Sequence, residues 1–208
     1  MKYPFIYFLM FGAILLVLNG SCKRKPSRAE VKNVPAKEMN AYVQEVIESM
    51  LDDSDEKTGK ADDSTNFYAL PVLNFYYASN KYKPVWSNSE KWKGYADSLL
   101  AYLQQCENDG LFKEDYQFST LYSLHQILIK DSVKRKDAWM WARADVLMTD
   151  AFMHMIQDLK HGRIQADSLA WKYIPEKQEQ FFTNWLNKIT AGTSMSSVVK
   201  ALQPSLEK

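Results

Sequence analysis

Cysteine is the side chain in this sequence best suited to covalent chemistry, and it occurs twice, at Cys22 and Cys106. A reactive cysteine needs a nearby base or an electropositive site, because the thiolate is the attacking form and its pKa must be lowered. Cys106 instead lies among neutral and acidic residues, with Gln105 before it and Glu107 and Asp109 after it. We therefore predict that Cys106 is a partly buried helix residue with a structural role.

The other ionisable residues form no recognisable metal or acid–base motif. The three histidines are isolated, and the sequence contains no C-x-x-C, H-E-x-x-H or G-x-S-x-G motif and no Gly-rich phosphate loop. Asp145 could act as an acid or base, as could the pair Glu114 and Asp115, but such carboxylates more often make local hydrogen bonds. We predict that the chain has no catalytic residue, binds no metal and uses no cofactor.

Aromatic residues are frequent between positions 75 and 95 and could form a carbohydrate-binding face. Half of them follow helical spacing, which favours packing in a hydrophobic core over binding of a sugar. The set comprises Tyr76, Tyr77, Tyr82, Trp86, Trp92 and Tyr95.

One long helix over residues 136–162 is predicted to position the rest of the chain. Its apolar residues recur every three or four positions, with Phe152 in the middle of the stripe. Asp137 is the predicted N-cap, and Gly162 follows the last turn as a C′ residue. The fold class predicted is all-α, an irregular helical bundle around this central helix.

The remaining sequence divides into a linker and a folded region. Residues 23–66 have the composition of a linker, with one short helix over 36–51 and an acidic, flexible tether over 52–65. From 67 to 208 the sequence is typical of a folded domain, with an extended segment at 80–86 and no convincing strand. Further helices are predicted over 67–79, from Asn88 or Ser89 to Asn108, and over 119–129, 176–189 and 195–202.

The composition limits the functional class. The chain has 208 residues, 46% of them hydrophobic, and a formal net charge of +1 at pH 7. Such a length favours one domain after the linker. A nearly neutral chain lacks the basic excess of most nucleic-acid-binding proteins, so we expect no nucleic-acid partner.

Residues 1–22 have the organisation of a bacterial lipoprotein signal peptide. Lys2 precedes an apolar run from Phe5 to Leu18, which is the length of a signal-peptide core and too short to span a bilayer. Small residues then precede Cys22, as in a lipobox. We expect Cys22 to be lipidated and to anchor the protein in the bacterial envelope, facing the periplasm.

The basic residues after Cys22 leave an alternative open. Lys23, Arg24 and Lys25 follow the apolar run, and counting charges would orient the segment the opposite way. In that case Cys22 would be an ordinary residue after a weak membrane anchor. An uncleaved anchor of this length would match a bilayer poorly, so the lipoprotein interpretation is favoured.

Several short motifs, taken together, resemble a known domain. Residues 75–86, FYYASNKYKPVW, resemble the F-Y, N-x-Y, P-x-W opening of the scaffold domain in large bacterial peptidoglycan L,D-transpeptidases. Further matches follow in the order of the family, over about residues 67–204. They include Tyr76, Tyr82, Trp86, Gly110, Tyr116, Asp145, Thr149, Asp150, Phe152, Gly162, Arg163, Trp171 and Pro204.

The resemblance implies a cell-wall role without catalysis by this chain. Enzymes of this family crosslink peptidoglycan stem peptides through a cysteine in a separate domain, within an S-x-G-C-x-R type motif, and this sequence has no such motif. Cys106 lies in the scaffold region and does not match that cysteine. The matching residues are therefore expected to be structural.

We predict a lipid-anchored, non-catalytic scaffold domain whose partners are peptidoglycan or cell-wall enzymes. Two alternatives remain. The chain could be a truncated fragment of a complete L,D-transpeptidase, or it could be an autonomous peptidoglycan-binding lipoprotein.

Overall fold

The computed structural model describes residues 25–54, 59–62, 65–162 and 176–203. Seven α-helices are present in these ranges. They are α1 (Met39–Asp52), α2 (Leu70–Ser79), α3 (Gly94–Gln105), α4 (Phe118–Lys130), α5 (Ala138–His161), α6 (Glu176–Thr190) and α7 (Met195–Leu202). Short 3-10 turns at Cys106–Asp109, Lys113–Tyr116 and Lys134–Lys136 connect several of them. The predicted all-α class is confirmed.

The central helix α5 begins and ends as predicted. The carboxylate of Asp137 accepts a hydrogen bond from the backbone N–H of Trp139, which satisfies one donor of the first turn. Gly162 follows the helix at φ 82° and donates its N–H to the carbonyl of Asp158. That φ lies in the region that suits glycine, so the helix ends where its sequence permits a change of direction.

Helix α5 is buried on almost every side, because other helices surround it. Its contacts extend to α1, α2, α4 and α7, and Phe152 at its middle is 0% exposed. Among the described residues, no helix is both long enough and apolar enough to cross a membrane.

The prediction that residues 23–66 form a linker is wrong for residues 25–54. Val31 and Val34 are 1% exposed, and Ile47 of α1 is 0% exposed in the core that α5 contributes to. The amphipathic stripe of α1 was recognisable, but its partner was not, because the acidic sequence after it suggested separation. The tether is also partly ordered: β1 (Lys60–Asp62) pairs antiparallel with β2 (Thr65–Asn66).

Two further predictions differ from the structure between residues 80 and 93. The segment 80–86 is not extended throughout, because Lys81 and Tyr82 adopt left-handed conformations with φ of 56° and 54°. The following helix begins at Gly94, and a hairpin precedes it, with β3 (Ser87–Asn88) paired antiparallel with β4 (Lys91–Trp92). Strands of two residues are too short to produce an alternating pattern in the sequence.

Candidate functional site

The polar side chains of α5 form the candidate site, because charged groups inside a helical core require specific partners. Five of them are at most 5% exposed: Asp145, Thr149, Asp150, Gln157 and Asp158. The three carboxylates and the Thr149 hydroxyl contact segments distant in sequence. The hydrogen-bond partners of these carboxylates and of the hydroxyl therefore define the site.

Asp145 fixes the loop that carries the P-x-W motif. Its Oδ1 accepts hydrogen bonds from the hydroxyl of Tyr77 and the backbone N–H of Val85, each at 2.8 Å. Its Oδ2 accepts the backbone N–H of Trp86, also at 2.8 Å. Burial raises the pKa of Asp145 to about 6, and these three donors act in the opposite direction by favouring the carboxylate.

Thr149 lies one turn after Asp145 and completes the same network. Its Oγ1 accepts a hydrogen bond from Nε1 of Trp86 at 2.8 Å and lies 2.7 Å from the hydroxyl of Tyr77. Tyr77 donates its one hydroxyl hydrogen to Asp145. Thr149 has one hydroxyl hydrogen for two acceptors, the carbonyl oxygen of Asp145 at 3.0 Å and the hydroxyl oxygen of Tyr77. The P-x-W loop is therefore held by a fully buried set of complementary donors and acceptors.

The carbonyl side of the same loop is bound from α3 and the residue before it. Lys93 donates from Nζ to the carbonyl oxygen of Val85 at 2.7 Å, and the Tyr95 hydroxyl donates to the same oxygen at 2.5 Å. Burial lowers the pKa of Lys93, with the charge of Asp145 opposing that shift. The peptide groups on both sides of Val85 thus have partners, which explains how a short irregular loop can lie in the core.

Asp150 holds the chain where it enters α2. Its Oδ2 and Oδ1 accept the backbone N–H groups of Tyr68 and Ala69, both at 2.9 Å. Ala69 precedes the first helical residue, so the carboxylate acts as a cap supplied by another helix. Burial raises the pKa of Asp150 to about 6 against the effect of these two bonds.

Asp158 binds the D-Y part of the loop before α4. The hydroxyl of Tyr116 donates to its Oδ2 at 2.8 Å, and Nε2 of His154 lies 3.4 Å from the same oxygen. The rings of His154 and Tyr68 are stacked with centroids 3.5 Å apart. This arrangement joins the entry to α2 and the loop before α4 at one place on α5.

Most motif residues named from the sequence lie in this structural network or in turns. Tyr76 is 5% exposed and packs edge-on against Tyr77, and Trp86 packs edge-on against Phe152. Tyr82 donates its backbone N–H to the carbonyl of Tyr77 at 2.7 Å within the left-handed turn.

Gly110 has φ 77° at the end of the 3-10 turn after α3. No atom lies within 4 Å of the position that a Cβ would take there, so the requirement for glycine is conformational and not steric. Cys22, Arg163, Trp171 and Pro204 lie outside the described residues.

Sequence reasoning missed Asp158, Tyr68 and His154 as members of the network. Asp150, His154 and Asp158 follow one another at four-residue intervals, so they occupy one face of α5. A polar stripe inside an otherwise apolar helix was the available signal. It could not identify Tyr68 and Tyr116 as the partners, because those contacts depend on the tertiary fold.

Cys106 was predicted to be a partly buried helix residue, and it is completely buried in the 3-10 turn that follows α3. Its side chain is 0% exposed, and burial followed by the charge of Glu107 raises its pKa to about 11. A thiol in this state is a poor nucleophile at neutral pH. Within the described ranges, no group of three or more His, Cys, Asp or Glu side chains is placed to hold a metal ion.

An open groove of about 830 Å³ lies between α3 and α7. Hydroxyl groups and two aromatic rings line it, so it differs from the sealed core around α5. The lining includes Tyr95, Ser98, Tyr102, Thr193, Ser196 and Gln203. Of the aromatic residues that could form a sugar-binding face, Tyr95 reaches this groove, whereas Tyr76, Tyr77 and Trp86 are buried in the core.

Comparison with protein families agrees with the motifs. The family model described as "Scaffold domain" matches residues 72–208. The chain belongs to the scaffold-domain family. This membership is consistent with the resemblance to the scaffold domain of L,D-transpeptidases, and the match contains all the motif residues named above except Cys22. No curated protein and no solved structure matches the chain.

The match to the scaffold domain begins inside α2, so residues 25–54 and β1–β2 precede it. The core nevertheless includes Val31, Val34 and Ile47 from that preceding segment. An N-terminal layer that precedes the matched residues therefore packs against α5 as part of the same core.

Proposed function

We propose that this scaffold domain is a non-catalytic module of an L,D-transpeptidase-type cell-wall protein, anchored by lipid in the bacterial envelope. Its work is to hold or position other parts of the machinery that crosslinks peptidoglycan. The partners proposed are peptidoglycan or cell-wall enzymes, and the anchor proposed is an acylated Cys22 facing the periplasm.

The main support for a non-catalytic role is the state of Asp145, a carboxylate of the family motifs. Both of its oxygens accept hydrogen bonds from inside the domain. It is 0% exposed, and three donors from Tyr77, Val85 and Trp86 occupy it. A general acid or base must lie within hydrogen-bond reach of the proton that it transfers. A fully buried carboxylate has no such access to a substrate, so a structural role fits Asp145 better than catalysis. Cys106, with its raised pKa, supports the same role.

The catalytic alternative is tested directly with the purified full chain. It is incubated with tetrapeptide muropeptides, alone and together with a catalytically active L,D-transpeptidase, and the products are separated by chromatography. We expect no crosslinked dimer from the chain alone. Crosslinked product that forms without added enzyme and disappears in Cys106→Ala would overturn the proposal.

The anchor is tested by fractionation of cells that produce the full chain. Replacing Cys22 by Ser should release the protein from membranes or leave an uncleaved precursor of higher mass. Acylation with two or more chains gives stable attachment, since each buried methylene contributes roughly 0.8 kcal/mol. Unchanged fractionation and unchanged mass in Cys22→Ser would contradict a lipid anchor.

The groove between α3 and α7 favours peptidoglycan as a direct ligand, which is the second candidate function. Hydroxyl and amide groups beside Tyr95 and Tyr102 are groups that bind sugars and peptides. Ser196→Trp should fill the groove and reduce binding of the full chain to purified sacculi. The matched control is Ser123→Trp, at an exposed helix position outside the groove. Equal binding by both variants would exclude the groove as the binding site.

A further inference from the structure

A basic surface with an apolar tip lies beside the docked N-terminal segment. We define it by Lys32, Lys134, Arg135 and Lys136, with Val133 at the tip. Val133 is 73% exposed and precedes the three consecutive cations. An exposed aliphatic side chain among basic residues is typical of surfaces that contact a lipid bilayer.

Backbone hydrogen bonds place the two parts of the basic surface together. Val34 donates its N–H to the carbonyl of Lys136 at 2.9 Å, and Ala138 donates to the carbonyl of Val31 at 2.8 Å. These bonds bring Lys32 next to the basic turn, although about a hundred residues separate them in sequence. The surface is therefore a product of the fold and not of the local sequence alone.

The cations of this surface outnumber the carboxylates beside them. Within the described ranges, no carboxylate forms an ion pair with Lys134, Arg135 or Lys136. The carboxylate of Asp131 in the same turn accepts the backbone N–H groups of Lys134 and Val133. These bonds lower the pKa of Asp131, and the nearby charges of Lys134 and Arg135 help to lower it. One acidic side chain therefore offsets only part of the three consecutive positive charges.

The remaining acidic residues of the same segments have other contacts. Both oxygens of Asp137 accept hydrogen bonds from Arg28 at 2.6 Å, so this carboxylate is neutralised beside the surface. Glu30 accepts the backbone N–H of Ser27 at 2.7 Å. The exposed charge at the turn is therefore predominantly positive.

The position of Cys22 makes a lipid surface the occupant that fits best. Arg28 is already docked against Asp137, and it follows Cys22 by six residues. A chain of that length spans at most roughly 20 Å. If Cys22 carries lipid, the start of the docked segment, and with it the basic surface, cannot lie far from the headgroups.

We propose that the basic surface binds anionic lipid headgroups, with Val133 entering the interface, and that it orients the domain on the membrane. The inference rests on the lipid anchor of the proposed function for its proximity argument. In this proposal the domain is held at the membrane through a defined face and does not hang from a long, flexible tether. The groove between α3 and α7 and the family match are independent of it.

The test uses the full chain with an environment-sensitive fluorescent amino acid incorporated in place of Val133. Protein recovered from membranes is reconstituted into vesicles of phosphatidylcholine alone or with 30% phosphatidylglycerol. Spin-labelled lipids then report whether the probe contacts the bilayer. We expect blue-shifted emission and quenching in the anionic vesicles only, both weakened as salt rises from 0.1 to 1 M.

Charge-reversed protein gives the decisive comparison. The variant carries Lys134→Glu, Arg135→Glu and Lys136→Glu, and the control carries Lys81→Glu, Lys83→Glu and Lys91→Glu at exposed positions outside both the basic surface and the groove. Each basic residue near an anionic surface contributes about fivefold to partitioning, and each added glutamate is repelled, so the ratio of bilayer-contacting to aqueous probe should fall by at least about 100-fold in the first variant. The control should match the parent, and circular dichroism melts establish that both are folded.

Several results would overturn the inference. These are an aqueous probe in anionic vesicles, an equal response in neutral vesicles, or an equal loss in both charge variants. Charge-dependent binding to sacculi without a response in vesicles would assign the surface to a cell-wall polyanion instead. A separate experiment covers the case in which Cys22 is not lipidated. Protein recovered in the soluble fraction is mixed with the same vesicles and centrifuged in a flotation gradient. Flotation that depends on the charge of the vesicles would support lipid binding by the basic surface even without lipidation.

Discussion

The hydroxyl of Tyr77 donates a hydrogen bond of 2.8 Å to the carboxylate of Asp145, and both side chains are 0% exposed. This bond joins α2 to the central helix across 68 positions of sequence. Because Asp145 also binds the backbone of Val85 and Trp86, the same carboxylate connects three parts of the scaffold domain. The motifs that resemble the L,D-transpeptidase scaffold domain are separate in the sequence, but they form one structural unit.

Replacing Tyr77 by Phe should destabilise the protein by about 1 to 3 kcal/mol, because it leaves Asp145 and Thr149 buried with one partner fewer. The free energy of unfolding is measured by denaturant melts. Tyr122→Phe is the matched control, since Tyr122 is 45% exposed, and it should change the value by less than about 0.5 kcal/mol. Equal effects of the two substitutions would contradict the bracing role of this network.

The pH dependence of stability should reveal the buried carboxylates. The pKa of Asp150 is raised to about 6 in the folded protein from 3.8, so folding takes up a proton between these values. Its contribution to stability is therefore present below about pH 4 and is lost as the pH rises through 6. The unfolding free energy of the parent protein should decrease between pH 4.5 and 7.5. We expect this decrease to be smaller in Asp150→Asn, by on the order of 1 to 3 kcal/mol. A parallel pH profile for parent and variant would show that the carboxylate stays ionised throughout.

The central helix could be predicted from sequence because its signals are local. Asp137, the apolar stripe and Gly162 each act within a few residues of the helix they define. The hairpin of β3 and β4 could not be predicted, since strands this short depend on tertiary contacts, such as the hydrogen bond from Ser89 N–H to the side chain of Asn40.

The polar network was predicted only in part, for the same reason. Asp145 and Asp150 were named through resemblance, but the groups that donate hydrogen bonds to them lie 59 to 82 residues away. The packing of α1 onto α5 was missed because the acidic sequence after α1 resembles a linker. The composition of a segment indicates whether it has enough apolar residues to fold. It does not indicate where an amphipathic helix next to that segment will pack.

The N-terminal layer should be part of one cooperative unit with the family domain. Ile47 of α1 is 0% exposed, so Ile47→Ala should cost about 2 to 5 kcal/mol. Glu45→Ala, at an exposed position of the same helix, should cost little. Denaturant melts followed by far-UV and near-UV signals should shift together for Ile47→Ala. A separate early transition, with the main midpoint unchanged, would show that α1 folds independently.

Cys106 should be almost unreactive in the native protein. Its side chain is buried and its pKa is raised to about 11, so both access and thiolate content are low. We expect a thiol reagent at pH 7.5 to modify it only after addition of denaturant, whereas an exposed cysteine placed by Ser123→Cys reacts at once. Rapid modification of native Cys106 would contradict the buried position and reopen a catalytic role.

Phe152 lies at the centre of α5 and contacts Trp86 edge-on with ring centroids 5.9 Å apart. Its side chain is 0% exposed, so Phe152→Ala should open a cavity and cost about 3 to 5 kcal/mol. That is a large share of the roughly 5 to 15 kcal/mol that stabilises a typical domain.

Val133→Ala is the control for Phe152→Ala, because it also removes apolar atoms but at a side chain that is 73% exposed. Midpoint and slope of denaturant melts are compared, since a changed slope would indicate an altered unfolded state. The Trp86 ring loses one of its two aromatic packing partners in Phe152→Ala and keeps Tyr95, while its Nε1 bond to Thr149 remains. We therefore expect the loss to be one of packing, so that Phe152→Leu recovers a large part of it. A cost within about 0.5 kcal/mol of the control would show that α5 is not the buried centre of the fold.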